Sequence, residues 1–488
     1  MKASILAVSS ALLILGAAPV HGQESPGEVE QLRRQLKAAT ENFDKMMKEQ
    51  KQVIDSLSQR LDDLQKKQSA TEEKAKLADQ LGAELAKNAP PIPAPAAGSV
   101  STAWSPAAPL TIARAGSAYM NISFDTLMDV GGSTVHDPSR QLQLGDHDPI
   151  KNGFSLRNAE ISLDGAVDPY FKGFANIALK LDQNNETSIE LEEAYVQSTS
   201  LPDDLQLKGG QFYAAFGRQN PQHPHSWAFV DLPIILSRAF GPDGLRSIGA
   251  QMSWLVPLPF YTELFLGVFD GQGGTAASFR SPGDPGPNGN QVHGHPTFER
   301  TLSGPQDLVY VPRLASSFEL TDHQTLVAGV SGAFGPNETG DHSRTEIYGV
   351  DAYWKWKPSN ASEGFPFVSW QTEFLYSRFG AGASPAVAIG SENLHDWGMY
   401  SQVLYGFRPH WVAGLRGEYA SGDTGQFDLT DPFRGERSRV SPNLTWYPSE
   451  FSKIRLQYNY DMGEYLGNQH AVWMQFEFLL GAHAAHKF

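Results

Sequence analysis

From His470 to Gly481 the chain reads H-A-V-W-M-Q-F-E-F-L-L-G, and it stops at Phe488. Successive side chains of an extended strand point to opposite faces. Val472, Met474, Phe476, Phe478 and Leu480 therefore share one apolar face, and Trp473, Gln475 and Glu477 share a mixed one. Phe488 is in phase with the apolar set. A soluble sheet buries such a face against a second layer. A membrane barrel turns it to lipid and turns the mixed face to a water-filled lumen.

The same period of two runs back through the chain. Met120, Ile122 and Phe124 alternate with Asn121, Ser123 and Asp125; Ile177, Leu179 and Leu181 with Asn176, Lys180 and Asp182; Ile454, Leu456, Tyr458 and Tyr460 with Arg455, Gln457, Asn459 and Asp461. Trp and Tyr recur at the ends of the apolar faces, as interfacial girdles require. Turn-forming groups such as Asp168-Pro169, Pro202-Asp203-Asp204, Arg408-Pro409-His410 and Pro448-Ser449-Glu450 alternate with long loops at Gly131–Asn152, Gly217–Leu245, Gly271–Asp307 and Ser421–Glu436. One short-turn rim and one long-loop rim is the plan of an outer-membrane barrel. The spacing predicts an all-β fold: a transmembrane antiparallel β-barrel of about 16 strands over 118–488.

The segment before it is different. Lys2, the apolar run Ile5–Ala18 and Pro19-Val20-His21-Gly22 form a secretory signal peptide over 1–22. From Glu28 to Lys87 the chain lacks Pro. Val29, Leu32, Leu36, Ala39, Phe43, Met46 and Val53 follow a heptad, and Ile54, Leu57, Leu61 and Leu64 follow one displaced by four residues. This predicts a periplasmic coiled coil with a stutter. Residues 88–117, opening N-A-P-P-I-P-A-P, read as an extended linker. No cysteine is present. Before Ala118 there are 14 Lys and Arg against 13 Asp and Glu; from Ala118 on there are 24 against 41. That balance excludes a nucleic-acid partner.

Between Phe154 and Gly217 the chain reads S-L-R-N-A-E-I-S-L-D-G-A-V-D-P, then E-L-E-E-A-Y-V, then L-K-G-G-Q-F-Y-A-A-F-G. This resembles the phosphate-selective porin O and P family. The aromatic end in phase with the last strand is likewise similar to the C-terminal signature of bacterial outer-membrane proteins. The resemblance implies a homotrimeric porin, in some members with a periplasmic coiled coil before the barrel. Anion-selective members are lined with Arg and Lys. Here the lumen wall candidates Arg157, Lys180, Lys208, Arg416, Lys453 and Arg455 stand among Glu160, Asp182, Glu373, Glu418, Asp461 and Glu477. Phosphate selectivity is therefore not carried over.

Gly217–Leu245 is the third long-rim connection. Its Phe229, Ile234, Ile235, Leu236 and Phe240 need cover that water does not give. A loop folded into the lumen supplies it and makes Arg218, Asp231, Arg238, Asp243 and Arg246 the candidates for a pore constriction. With Lys453 and Arg455 opposite, such a constriction is weakly anion-preferring. His223 and His225, and His293 and His295, carry metal-ligand chemistry. Both pairs lie in loops without fixed geometry, so we read them, like His483 and His486, as solvated and expect no metal site and no cofactor. No nucleophile elbow, Walker loop or zincin helix appears, and no enzyme is expected. The expected function is passive diffusion of small hydrophilic solutes or ions across the bacterial outer membrane. Its partners would be outer-membrane lipid and two further copies of the chain, with peptidoglycan or a periplasmic protein on the coiled coil. The alternatives are a structural outer-membrane anchor and a metal or chelate uptake receptor.

Overall fold

The computed structural model describes residues 109–142, 145–286, 289–429, 431 and 433–481, together with Lys37. The expected signal peptide, the expected coiled coil apart from Lys37, most of the linker, and Phe488 lie outside the described residues.

Sixteen antiparallel strands close into a barrel. They are β1 (Ala118–Ser133), β2 (Gly153–Ala166), β3 (Phe171–Leu181), β4 (Thr187–Ser198), β5 (Leu205–Tyr213), β6 (Arg246–Leu255), β7 (Thr262–Phe269) and β8 (Val309–Thr321). The second half comprises β9 (Gln324–Pro336), β10 (Arg344–Trp356), β11 (Phe367–Ala381), β12 (Glu392–Arg408), β13 (Trp411–Gly422), β14 (Arg437–Ser449), β15 (Ser452–Gly463) and β16 (Gly467–Leu480). Each strand pairs with its neighbour in sequence. The seam between β1 and β16 sets Phe124 opposite Leu480 and Ser133 opposite Ala471. Closure leaves no edge, so the backbone groups of every strand are paired within the sheet.

The linker ends earlier than 117. Leu110–Ala115 forms a short strand that pairs back onto the start of β1, through a turn at which Gly116 takes φ +63°. That left-handed conformation suits glycine.

The two faces separate as the alternation requires. On β16, Trp473, Gln475, Glu477 and Leu479 are buried inward, while Val472 and Phe478 are about half exposed on the outside. Leu207, Ile248, Val330, Val350, Leu415 and Leu456 continue the outer apolar surface. A continuous surface of this kind belongs against hydrocarbon, not water. Exposed aromatics mark both ends: Tyr170, Phe171, Tyr261, Tyr405 and Trp446 at the short-turn rim, and Phe154, Tyr310, Tyr348 and Trp397 at the long-loop rim. Two bulges break the alternation. One places Arg157 and Asn158 both inward on β2; the other does the same for Glu192 and Glu193 on β4.

Part of the interior is apolar. A short helix, α1 (Ile234–Phe240), lies inside the barrel in one cluster with Phe212, Phe269, Val311, Ile347 and Leu375 from the wall. Phe216 meets Phe240 edge-on, ring centroids 4.8 Å apart. Inward apolar residues on β5 to β13 therefore cover the helix and are not exposed to a water column.

Candidate functional site

The site is the segment 214–245, which runs inside the barrel and bonds to inward side chains around the wall. At its start Gly217 takes φ +57°, and its N–H donates to Ser331 Oγ at 3.0 Å. A Cβ there would sit 2.2 Å from Glu373 Oε2, so the position requires glycine. The N–H groups of Arg218 and Gln219 both donate to Glu373 Oε1, at 3.1 and 2.7 Å. Asn220 ties the two ends of the loop together, donating to the carbonyls of Ala214 and Leu245 and accepting from Leu245 N–H.

The middle of the loop rests on β13 to β15. Lys453 Nζ donates to the His225 carbonyl at 2.7 Å, Arg455 to that of Trp227 at 2.9 Å, and Asn443 to that of Ala228 at 2.9 Å. Asp231 is the centre of this contact, with a fully buried side chain. It accepts from Arg439 Nη1 at 2.8 Å, Gln457 Nε2 at 2.9 Å, Asn459 Nδ2 at 2.7 Å and the Arg416 guanidinium. Burial alone pushes the Asp231 carboxyl up, but Arg416 and Arg439 outweigh it and hold it at about 2. Ile234 N–H, at the first turn of α1, donates to Glu418 Oε2 at 2.7 Å, which satisfies one of the free donors of a helix start.

The five loop-region candidates do not converge on one ring. Asp231 is clamped as described. Asp243 and Arg246 pair with each other, with Glu190 and His147 alongside. The Arg238 guanidinium is buried and donates to the Gly435 carbonyl at 2.7 Å, with Asp396 3.8 Å away. Arg218 lies 3.9 Å over the Tyr353 ring and is part exposed. It borders a cavity of about 150 Å³ that is also lined by Gln222, Ser226, Tyr353, Ser369, Gln371 and Gln402. The wall candidates all face inward. Arg157 and Lys180 hold Asp146; Arg416, Lys453 and Arg455 hold the loop; Lys208 lies 4.5 Å over the Tyr195 ring and 4.9 Å over Phe212.

One reading is corrected. His223 and His225 are not solvated: their side chains are 10% and 11% exposed and stack at 5.7 Å, 12° from parallel. They are buried because the loop carries them against the carboxylates of β1, β2 and β4. His295 is also buried, 2.8 Å from Glu392, while His293 faces Asp431 at 3.5 Å. His483 and His486 lie outside the described residues. The sequence did not reveal Arg439 and Asp148 as anchors of this loop, Arg437 as a donor to the Leu142 carbonyl, or Glu193 as a partner of His223. A signal for the last existed: adjacent acids in E-L-E-E-A-Y-V can both face inward only across a bulge.

No family model matches the chain. Among solved structures it is similar to the outer membrane channel DcaP of Acinetobacter baumannii, at 12% identity and a TM-score of 0.50, over 75% of this chain and 99% of that one. It is also similar to Pseudomonas putida OprB in a high-pH structure, at 10% identity and a TM-score of 0.45, over 74% of this chain and 94% of that one. The DcaP likeness establishes a shared barrel fold. An uncharacterized protein of Aquifex aeolicus (strain VF5) is 31% identical over 363 residues, 69% of this chain and 71% of its own length, and the chain belongs to the same family as that protein.

Proposed function

We propose that the chain is an outer-membrane porin through which small hydrophilic solutes or ions diffuse passively. The observation that carries this is a closed barrel, apolar outside, whose lumen is narrowed by a firmly anchored loop with a polar cavity beside it. Sixteen strands also fall short of the roughly 22 of a plugged receptor. A homotrimer whose N-terminal coiled coil lies in the periplasm belongs to the same proposal, as does a weak preference for anions.

The anion preference is supported by the cations that remain beside water. Alternation places Lys172, Lys208 and Lys355 inward toward the short-turn rim, on the same side as Arg218, against Asp164, Glu263 and Glu319. A unit charge about 4 Å from a passing ion changes its energy by about 1 kcal/mol in water. Arg218→Glu swings two units at the cavity edge and is expected to shift the anion-to-cation permeability ratio several-fold toward cations. Asp428→Asn, in an outer loop and screened by salt beyond about 10 Å, is expected to leave it unchanged. Reversal potentials in a salt gradient measure both. Equal shifts, or none from Arg218→Glu, would remove Arg218 from the solute path.

A further inference from the structure

We infer that Asp125, Glu160 and His225 form a binding site for a divalent transition-metal cation that bolts the inner loop to β1 and β2. His225 Nδ1 lies 2.9 Å from Asp125 Oδ2 and 3.7 Å from Glu160 Oε2. The three ligand atoms fall within 4.8 Å of one another. Metal–ligand bonds of about 2.0–2.2 Å place neighbouring ligand atoms of a tetrahedral site roughly 3.4 Å apart, so small side-chain movements seat an ion between them. One imidazole nitrogen with two carboxylates suits zinc, cobalt or manganese, with the fourth position left to water.

Many lumen carboxylates hold a cation, and those of this cluster do not. Asp231, Asp243, Asp351, Asp461, Glu190 and Glu477 each pair with an arginine or lysine. Asp125, Glu160, Glu192 and Glu193 do not: among the described residues their ion-pair partners are His147, His223 and His225 alone. Lys453 is close by, but it is joined to Glu477 and to the His225 carbonyl. Asp125 is 4% exposed, and its Oδ1 has no hydrogen-bond partner among the described residues. A buried carboxylate left in that state calls for a cation. The positive charge comes either from protons on the imidazoles or from a metal ion.

The neighbouring triads are already filled. Between Glu160, Glu192 and His223 stands the Asn176 amide, with Nδ2 2.9, 2.7 and 3.2 Å from Glu160 Oε2, Glu192 Oε2 and His223 Nδ1. Asp146, His147 and Asp243 are engaged by Lys180, Arg157 and Arg246. Of the Asp125 triad only Glu160 meets that amide, and among the described residues no lysine or arginine forms an ion pair with any of the three, so the ion is assigned there. Asn176 then donates to Glu160 and orients it.

The test uses the full chain, folded in detergent and stripped with a chelator, titrated with Co²⁺ by visible absorption and with Zn²⁺ by calorimetry. One saturable site per chain is expected, with a cobalt spectrum unlike that of the hydrated ion. Loss of a group that only hydrogen-bonds to a metal ligand costs about 10–100-fold in affinity. Asp125→Asn and His225→Gln, which remove ligands, are therefore each expected to cost at least about 100-fold, with folding confirmed by heat-modifiable migration. His483→Ala with His486→Ala is expected to bind as the parent does. Absence of a saturable site, a hydrated-ion spectrum, or loss of binding with the tail histidines would overturn the assignment. So would parent-like binding by Asp125→Asn and His225→Gln.

Discussion

Asp231→Ala frees the inner loop from the wall and raises the single-channel conductance. The substitution leaves the buried Arg416 and Arg439 with one carboxylate each, Glu418 and Asp461, in place of two, and robs Gln457 and Asn459 of an acceptor. Breaking a buried ion pair from one side costs about 3–5 kcal/mol, more than most single changes in a folded chain. The loss is expected as faster protease cleavage within 214–245, a lower denaturation midpoint, and larger, noisier channel openings. Parent-like conductance and protease resistance would show that the clamp does not hold the loop. The clamp also has a pH signature. The Asp231 carboxyl sits at about 2 in the folded chain, below its unfolded value near 3.9. Its contribution is therefore complete above about pH 4 and disappears as the pH falls through about 2.

Phe476→Arg is expected to abolish assembly. Phe476 lies on the outer face of β16, opposite Met128 on β1 and Ile454 on β15, so the variant carries its charge out to hydrocarbon beside the closing seam. A lipid-facing arginine near mid-bilayer costs about 2–4 kcal/mol. Here it also acts on the strand pair that closes the barrel. Electrophoresis with and without heating measures the folded fraction, with Phe476→Leu as the tolerated control. A normal folded yield from Phe476→Arg would mean that this face does not meet lipid.

The architecture was legible because alternation is a local property. Val472 to Leu480 and Ile454 to Tyr460 display their two faces within one strand, and no distant contact is needed to read them. The turn groups at Asp168-Pro169 and Arg408-Pro409-His410 set the rims in the same way. Residues 110–117 were misread because a six-residue strand next to a proline-rich tract has too short a pattern to stand out. The interior was less legible, and for a physical reason. Which charges remain beside water depends on partners far apart in the chain: Asp231 meets Arg416 and Arg439, and His223 meets Glu192 and Glu193. Arg238 and Arg218 look alike in sequence. One donates to the carbonyl of Gly435, and the other borders the cavity. The histidines of H-P-H were read as solvated because nothing in the tripeptide reveals the bulge that turns Glu192 and Glu193 toward them.

Single-channel recording of the purified chain in planar lipid bilayers tests the central claim most directly. A water-filled path beside an anchored loop predicts discrete, long-lived conductance steps that are small for a barrel of this strand number and grow with salt concentration. If the chain is a trimer, voltage closes each inserted unit in three equal steps. Bilayers that take up folded, heat-modifiable barrel yet remain silent at every salt concentration and voltage would contradict the account.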